Sequence, residues 1–312
     1  MAIEMSLAHA TPLLRSLPMG AALGEPVLLK MEALQPSGSF KLRGLGRLCA
    51  SRVAGGARRL VCASGGNAGL AVAYAGRRLG AAVRVVVPST TSARSHELLT
   101  TEGAEVVVRG DDWLAAHRAA LAELPEDATY IHPFDDPEIW TGHADIVVEA
   151  AAQAERPGAV VVAVGGAGLL CGVLQGMHAV GWTDVPVLAV ETEGAASYSA
   201  ALAAGAPVTI PAITSLATTL GARAVAAEAV AWSRRHEIIP WTVSDRAAVQ
   251  ACLRFVDDHR VLVEPACGAG LSVIYDRAPP IVGRGPVLVI VCGGAGVSLA
   301  LLRAWAERTG AC

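Results

Sequence analysis

Three times along this chain a run of apolar, largely β-branched residues stops at a glycine-rich turn and gives way to a helix. Arg59-Leu60-Val61-Cys62-Ala63 ends in Ser64-Gly65-Gly66-Asn67-Ala68-Gly69. Ala159 to Val164 ends in Gly165-Gly166-Ala167-Gly168, and Val287 to Cys292 ends in Gly293-Gly294-Ala295-Gly296. Strand, tight turn and helix in that order form the unit from which parallel sheets are built. Further units fill the intervals. Strands are expected at Val27–Met31, Val83–Val87, Ala104–Val108, Thr129–His132 and Val187–Val190, with helices between them. The pattern predicts an α/β fold of open, twisted, mainly parallel sheets flanked by helices. Composition agrees: 53% of residues are hydrophobic but only 4% aromatic, which suits strands covered on both faces. A Pro/Asp loop, Pro133-Phe134-Asp135-Asp136-Pro137, separates two strand–helix series, so a boundary is expected near Asp136–Glu138.

Several partner classes are disfavoured. The formal net charge is −3 and no dense Lys/Arg run is present, so nucleic acid is not an expected partner. The longest apolar stretch runs from Val287 towards Leu302 and is broken by glycines, so no membrane span is expected. The start, Met1-Ala2-Ile3-Glu4-Met5, lacks a basic leader region. The 7 cysteines are scattered without a Cys-x-x-Cys pair. That points to reduced thiols in a cytoplasmic protein and to no structural zinc.

Against this frame one lysine stands out. In Pro36-Ser37-Gly38-Ser39-Phe40-Lys41 it follows an aromatic residue and opens a helix. A lysine near a helix N-terminus and partly desolvated loses its proton more readily, and a neutral amine forms a Schiff base with an aldehyde. The glycine loops supply the complement. Ligands of open parallel sheets bind at the carboxyl ends of strands, and helix N-termini there cradle anions. Ser64 and Asn67 add side-chain hydrogen bonds to the first loop. The second, Gly165 to Gly168, has two readings. It is a natural phosphate cradle, yet Gly166, Gly168 and Gly172 with Glu191 loosely echo a dinucleotide fingerprint whose third glycine falls one position late. Cys292 lies at the tip of the last strand, beside the third loop. One chemistry uses a reactive lysine, a phosphate cradle, a ring-nitrogen partner and a carboxylate site together: that of pyridoxal phosphate.

At this point the residues carry a resemblance. The supporting segments are Gln35 to Lys41, Ser64 to Gly69, Pro133 to Pro137, Gly168-Leu169-Leu170-Cys171-Gly172-Val173, Phe255 to Asp258, Val263-Glu264-Pro265-Ala266-Cys267-Gly268 and Val291 to Gly294. The chain resembles the L-serine dehydratase/L-threonine deaminase family of pyridoxal-phosphate enzymes, which share the tryptophan-synthase β-like, type II fold. The likeness is strongest to the liver-type serine dehydratases. It implies a large catalytic domain of residues 1–33 and 139–312 and a small domain, 34–138, that carries Lys41. It implies Lys41 and Ser64 as catalytic residues, with Lys41 holding the cofactor and removing the substrate α-proton. Phe40 packs beside the ring, Asn67 bonds its 3-oxygen, Gly165, Gly166, Ala167, Gly168 and Leu169 hold the phosphate, and Cys292 faces the ring nitrogen. Ser64, Gly65, Gly66, Asn67 and Ala68 take the substrate carboxylate. A monovalent cation, commonly potassium, is implied at Glu191 and the carbonyls of Gly165, Ala195, Leu220 and Ala222.

The expected activity is β-elimination from L-serine, and from L-threonine, by a homodimer. No regulatory extension follows the last loop, which points to a degradative enzyme. Three departures mark this chain: Ala167 and Gly65 stand where relatives often have glycine and alanine, and Ala295-Gly296 stands where many carry Ser-Asn. A racemase or β-replacing enzyme on the same fold, a nicotinamide-dependent oxidoreductase using Gly166 and Glu191, or a catalytically idle pyridoxal-phosphate-binding or interaction protein are the alternatives.

Overall fold

The computed structural model describes residues 6–311; Met1 to Met5, read above for a leader, and Cys312 lie outside the described residues. The strands, in chain order, are β1 (Leu13–Ser16), β2 (Val27–Lys30), β3 (Arg59–Ala63), β4 (Ala82–Val87), β5 (Glu105–Val108), β6 (Ala128–Tyr130), β7 (Ala159–Ala163), β8 (Val187–Thr192), β9 (Ile238–Val243) and β10 (Val287–Ile290). They form two sheets. The larger has the order β1-β2-β10-β7-β8-β9 and the smaller β5-β4-β3-β6. All pairs are parallel except β1 with β2, which is antiparallel.

The centre of the large sheet is the driest part of the molecule. Every residue of β7, β8 and β10 is buried, because helices cover both faces, and these strands read as continuous Val/Leu/Ala runs for that reason. The edges read differently. β1 carries Leu14 and Arg15 exposed. β9 contains Pro240, paired opposite Ala189; at an edge its missing N–H leaves no gap in the ladder. Neither β1, β9 nor the helix Leu17–Leu23 is expected from the sequence pattern. Each is short, and each carries a proline or polar residue that reads as a turn.

Helix starts follow local chemistry. Ser92, Asp112, Ser244 and Ser298 each accept an N–H of the first turn, while Asp136 caps the long helix Pro137–Gln153, which opens on Pro137. The helices that open at the site break this rule. Phe40, Gly66 and Ala167 precede Lys41–Ala54, Asn67–Leu79 and Gly168–Ala179 without any side-chain cap. Their first N–H groups are left for something else.

The helix Lys41–Ala54 lies between the sheets and is clamped. Arg43 donates from Nε to Glu32 Oε2 at 2.7 Å and from Nη1 to Glu149 Oε1 at 2.7 Å. Lys30 Nζ, wholly buried in β2, reaches the same Glu149 at 2.6 Å. Its Gly44 lies so close to the next helix that a Cβ there would stand 2.4 Å from the Ile139 carbonyl. This fixes the position of Lys41, three residues earlier.

Candidate active site

Lys41 and Lys30 are the only lysines in the chain. Lys30 is spent on Glu149, so Lys41 is the only lysine left for chemistry. This count was available in the sequence and is a stronger pointer than the Phe-Lys pair. Lys41 Nζ donates to the Pro133 carbonyl at 2.8 Å and lies 5.3 Å from the centre of the Phe40 ring. Burial pushes its pKa from 10.5 down to about 8, against an opposing pull from Cys62 and Cys292. Those two cysteines come from opposite sides: Cys62 sits in β3 of the small sheet and Cys292 lies just past β10 of the large one. Lys41 therefore stands in the gap where the two sheets present their carboxyl ends.

The loop before Lys41 is stitched to the last glycine loop. Phe40 N donates to the Cys292 carbonyl at 3.1 Å, Gly294 N donates to the Gly38 carbonyl at 3.0 Å, and Ser39 bridges Gly293. Gly293 has φ +107 and Gly294 φ +139, a backbone that suits glycine. The Cys292 thiol is buried, and its neighbour Cys267 together with desolvation pushes its pKa well up and keeps it neutral.

Asn67 opens its helix with both ends of its amide in use. Nδ2 donates to Glu264 Oε1 at 2.7 Å, and Oδ1 accepts from Ala295 N at 3.2 Å. Thr219 Oγ1 also donates to Glu264 Oε1, at 2.7 Å. Desolvation pushes the Glu264 carboxyl up to about 7 in spite of these bonds. Within the first loop, Gly66 N donates to Ser64 Oγ at 3.3 Å. A Cβ on Gly66 would make only an ordinary van der Waals contact, with Thr219 Cγ2 at 3.6 Å. Gly65 is different: a Cβ there would meet Thr91 at 2.7 Å. Ala68 is buried.

The second loop leaves β7 and enters the helix Gly168–Ala179. Ala167 has φ +66, the left-handed conformation that costs an alanine about 1 kcal/mol and glycine nothing. Phe134 closes the loop from outside. A Cβ on Gly166 would stand 2.5 Å from the Phe134 ring, and one on Gly168 2.5 Å from its carbonyl. Gly165 lies against the Leu220 backbone, 3.0 Å from a hypothetical Cβ to Leu220 Cα, and Leu169 is buried.

The structure thus brings together Phe40, Lys41 and Cys292, joins Asn67 to the third glycine loop, and sets Gly165 against Leu220. Glu191 and Ala195 are buried, and Ala222 N donates to the Leu220 carbonyl at 2.8 Å. Glu191 is committed to the helix Ser197–Ala204: Oε1 accepts from Tyr198 N at 2.7 Å, and Oε2 accepts from Ser199 N at 2.8 Å and Ser199 Oγ at 2.6 Å. Beside them the buried Ser197 Oγ has no hydrogen-bond partner among the described residues. Glu264, Thr219, Cys267 and Ser197 carry no role in the sequence reading. Only a buried carboxylate in an apolar Val-Glu-Pro run gives a local signal; the other three act through contacts made far along the chain.

The donor set fits a phosphorylated pyridine aldehyde. It offers one desolvated amine with a depressed pKa, an oriented amide, a neutral thiol and an uncapped helix N-terminus behind a small-residue loop. The family model described as pyridoxal-phosphate dependent enzyme matches residues 5–293. The chain belongs to that family. It is 48% identical to the human L-serine dehydratase/L-threonine deaminase over 96% of this chain and 95% of the relative, and 46% identical to the mouse protein of the same description over 99% and 98%. Among solved structures, the fungal L-serine ammonia-lyase from Rhizomucor miehei superposes with a TM-score of 0.92 at 37% identity, over 98% of this chain and 100% of that one. Family membership removes the nicotinamide reading of Gly166 and Glu191. Geometry explains why the echo misleads: Glu191 is fully buried and held by Tyr198 and Ser199, with no face left for a ribose. Among the described residues no helix is long and apolar enough to cross a membrane.

Proposed function

We propose that this chain converts L-serine to pyruvate and ammonia, and L-threonine to 2-oxobutanoate and ammonia. The water lost in the elimination is returned when the enamine product hydrolyses, so the net loss is ammonia. The observation that carries this reading is a lone reactive lysine, half-buried and desolvated between two sheets, in a chain 48% identical over 96% of its length to a protein described by that activity.

Pyridoxal phosphate bound in the gap supplies an aldehyde for the substrate amine and a ring that draws negative charge from the α-carbon. The chain supplies the rest. Lys41 is the covalent anchor and, once released, the base for the α-proton; a pKa near 8 leaves a useful neutral fraction at working pH. Gly165 to Leu169 hold the phosphate with backbone N–H groups at the start of a helix. Phe40 packs on the ring. Asn67 bonds the 3-oxygen, and Glu264 with the Ala295 N–H set its orientation. With the cofactor bound, Cys292 would face the ring nitrogen as a neutral thiol, which would leave the ring a weaker electron sink than one paired with a carboxylate. Ser64 to Ala68 take the substrate carboxylate, with the Ser64 hydroxyl as the second catalytic group.

We further assign residues 34–138 to a small domain and 1–33 with 139–312 to a large one, and infer a homodimer and a cytoplasmic setting. A potassium ion is assigned to Glu191 and the carbonyls of Gly165, Ala195, Leu220 and Ala222. The buried Ser197 hydroxyl, which lacks a hydrogen-bond partner among the described residues, is a further oxygen available to it. Replacing potassium by tetramethylammonium is expected to lower turnover, and equal turnover in both salts removes the site. The function itself is tested by incubating the cofactor-loaded enzyme with L-serine. Equal amounts of pyruvate and ammonia are expected. Recovery of racemised serine without keto acid overturns the reading.

A further inference from the structure

His132 is a half-buried aromatic nitrogen base in no assigned role, and it lies one residue before the carbonyl that holds Lys41. Its Nδ1 accepts from Asp135 N at 2.9 Å and from Phe134 N at 3.4 Å. Both partners are N–H donors, so Nδ1 is the unprotonated nitrogen and the ring is the Nε2–H tautomer. The ring is packed edge-on against Phe134 at 4.7 Å, with His117 at 5.8 Å and Tyr130 at 6.3 Å. The turn it folds has two working faces. The Pro133 carbonyl receives Lys41 Nζ at 2.8 Å. The Phe134 ring closes on Gly166, and its carbonyl closes on Gly168 while accepting from Trp140 Nε1 at 2.9 Å.

We propose that His132 is a positioning residue for the elimination: its Nδ1 folds the Pro133–Phe134 turn so that the Pro133 carbonyl docks the Lys41 amine whenever that amine is not bonded to the cofactor. The amine needs such a dock. When the substrate takes the aldehyde, Lys41 is released into a desolvated gap with thiols around it, and an unpartnered amine there swings between rotamers. A fixed acceptor holds it facing the substrate for proton removal and return. The dock must stay an acceptor across the working range. Burial, with His117 and Lys41 nearby, pushes the His132 pKa down to about 4, so the ring stays neutral. The groups that face it are His117 from the helix Trp113–Ala122, Tyr130 from β6, Lys41 from the helix Lys41–Ala54 and Asp135 from its own turn. Of these, His117 lies 2.6 Å from the Tyr130 hydroxyl and is itself held down by burial.

The inference rests on Lys41 being the reactive amine, and the two are tested apart. Borohydride reduction of the cofactor-loaded chain followed by peptide mapping reads the lysine assignment alone. His132→Phe and His132→Asn then read the dock. Phenylalanine keeps the ring and its packing but has no acceptor; asparagine keeps an acceptor oxygen that bonds backbone N–H groups two and three residues on. Competitive acetylation of the full chain stripped of cofactor gives the Lys41 pKa directly. Loss of a carbonyl that receives the ammonium is expected to lower it by about one unit in His132→Phe. In the holoenzyme kcat is expected to fall about tenfold, with KM changed less than about threefold, because an acceptor that orients the base acts on the chemical step. His132→Asn is expected to restore both readouts to within about threefold of wild type. A wild-type Lys41 pKa and kcat in His132→Phe overturns the proposal. So does equal loss in both variants, since the acceptor is then not the property that matters.

Discussion

A lysine amine in water is an ammonium up to pH ~10, and Lys41 escapes that state by desolvation alone. No cationic neighbour helps; the nearest titratable groups, Cys62 and Cys292, oppose the shift. Capture of pyridoxal phosphate by the stripped protein is therefore expected to accelerate with pH and to level off above a midpoint near pH 8. Borohydride reduction is expected to place the label on Lys41 and none on Lys30, and Lys41→Ala to abolish both label and turnover. A midpoint above pH ~10 would mean the amine is solvated. Glu264 offers the opposite test, in stability. Its carboxyl is raised from 4.5 to about 7, so the folded chain holds a proton that the unfolded chain has released. The stabilisation this gives is complete below the unfolded value of 4.5 and is lost as pH rises through about 7; above that the buried carboxylate is a cost. The upper bound is roughly 3 kcal/mol at ~1.4 kcal/mol per unit. Glu264→Gln, which still accepts from Asn67 and Thr219, is expected to melt higher than wild type at pH 8 and no higher at pH 4. Parallel melting curves across that range would show that Glu264 has no raised pKa in the folded state.

The element that positions the chemistry is the helix Lys41–Ala54, and it is held by charge at one end and by close packing along its side. Among the described residues Arg43 is the only cation in an ion pair with Glu32, whose side chain is 0% exposed, and it shares the 22%-exposed Glu149 with Lys30. Arg43→Met leaves the buried Glu32 without a counter-charge, which costs about 3 kcal/mol. The double variant with Glu32→Gln is expected to recover a large part of that, because the orphaned charge is gone. Chemical denaturation of the four proteins of the cycle measures it, and additive losses would mean the pair is not coupled. Such a clamp was not legible in the sequence, where Arg43 reads as one of many charges on a helix. The buried central strands and glycine turns were legible, since a dry parallel strand must be a continuous apolar run and a strand-to-helix turn at a ligand must be small. β9 was not. Pro240 argues against a strand everywhere except at an edge, and only the assembled order of strands shows that β9 is one.

At the scale of the whole molecule, the site belongs to neither sheet. The helix bearing Lys41 and the Asn67 loop arrive beside the small sheet, while the Gly165–Leu169 cradle and Cys292 arrive from β7 and β10 of the large one. Sequence motifs name these pieces but not their juxtaposition. The bond from Asn67 to Glu264 spans 197 residues, and the closure of Phe134 over Gly166 joins the two series that the Pro/Asp loop separates. A ligand that grips both sheets must stabilise them together. With pyridoxal phosphate at 100 times its dissociation constant, the linkage term is about 2.7 kcal/mol, which for a chain of this size raises the melting temperature by about 5 °C. Calorimetry is expected to show one transition moving by that amount, with both sheets unfolding in it. Lys41→Ala removes the proposed covalent attachment and leaves the proposed phosphate contacts of Gly165 to Leu169. If its affinity falls about 100-fold, the same cofactor concentration gives only about 0.4 kcal/mol, a shift of about 1 °C. A variant that kept the full rise would place the attachment on some other group. A rise confined to one of two separate transitions would show that the cofactor touches one sheet alone, against the arrangement in which Lys41 stands between Cys62 and Cys292.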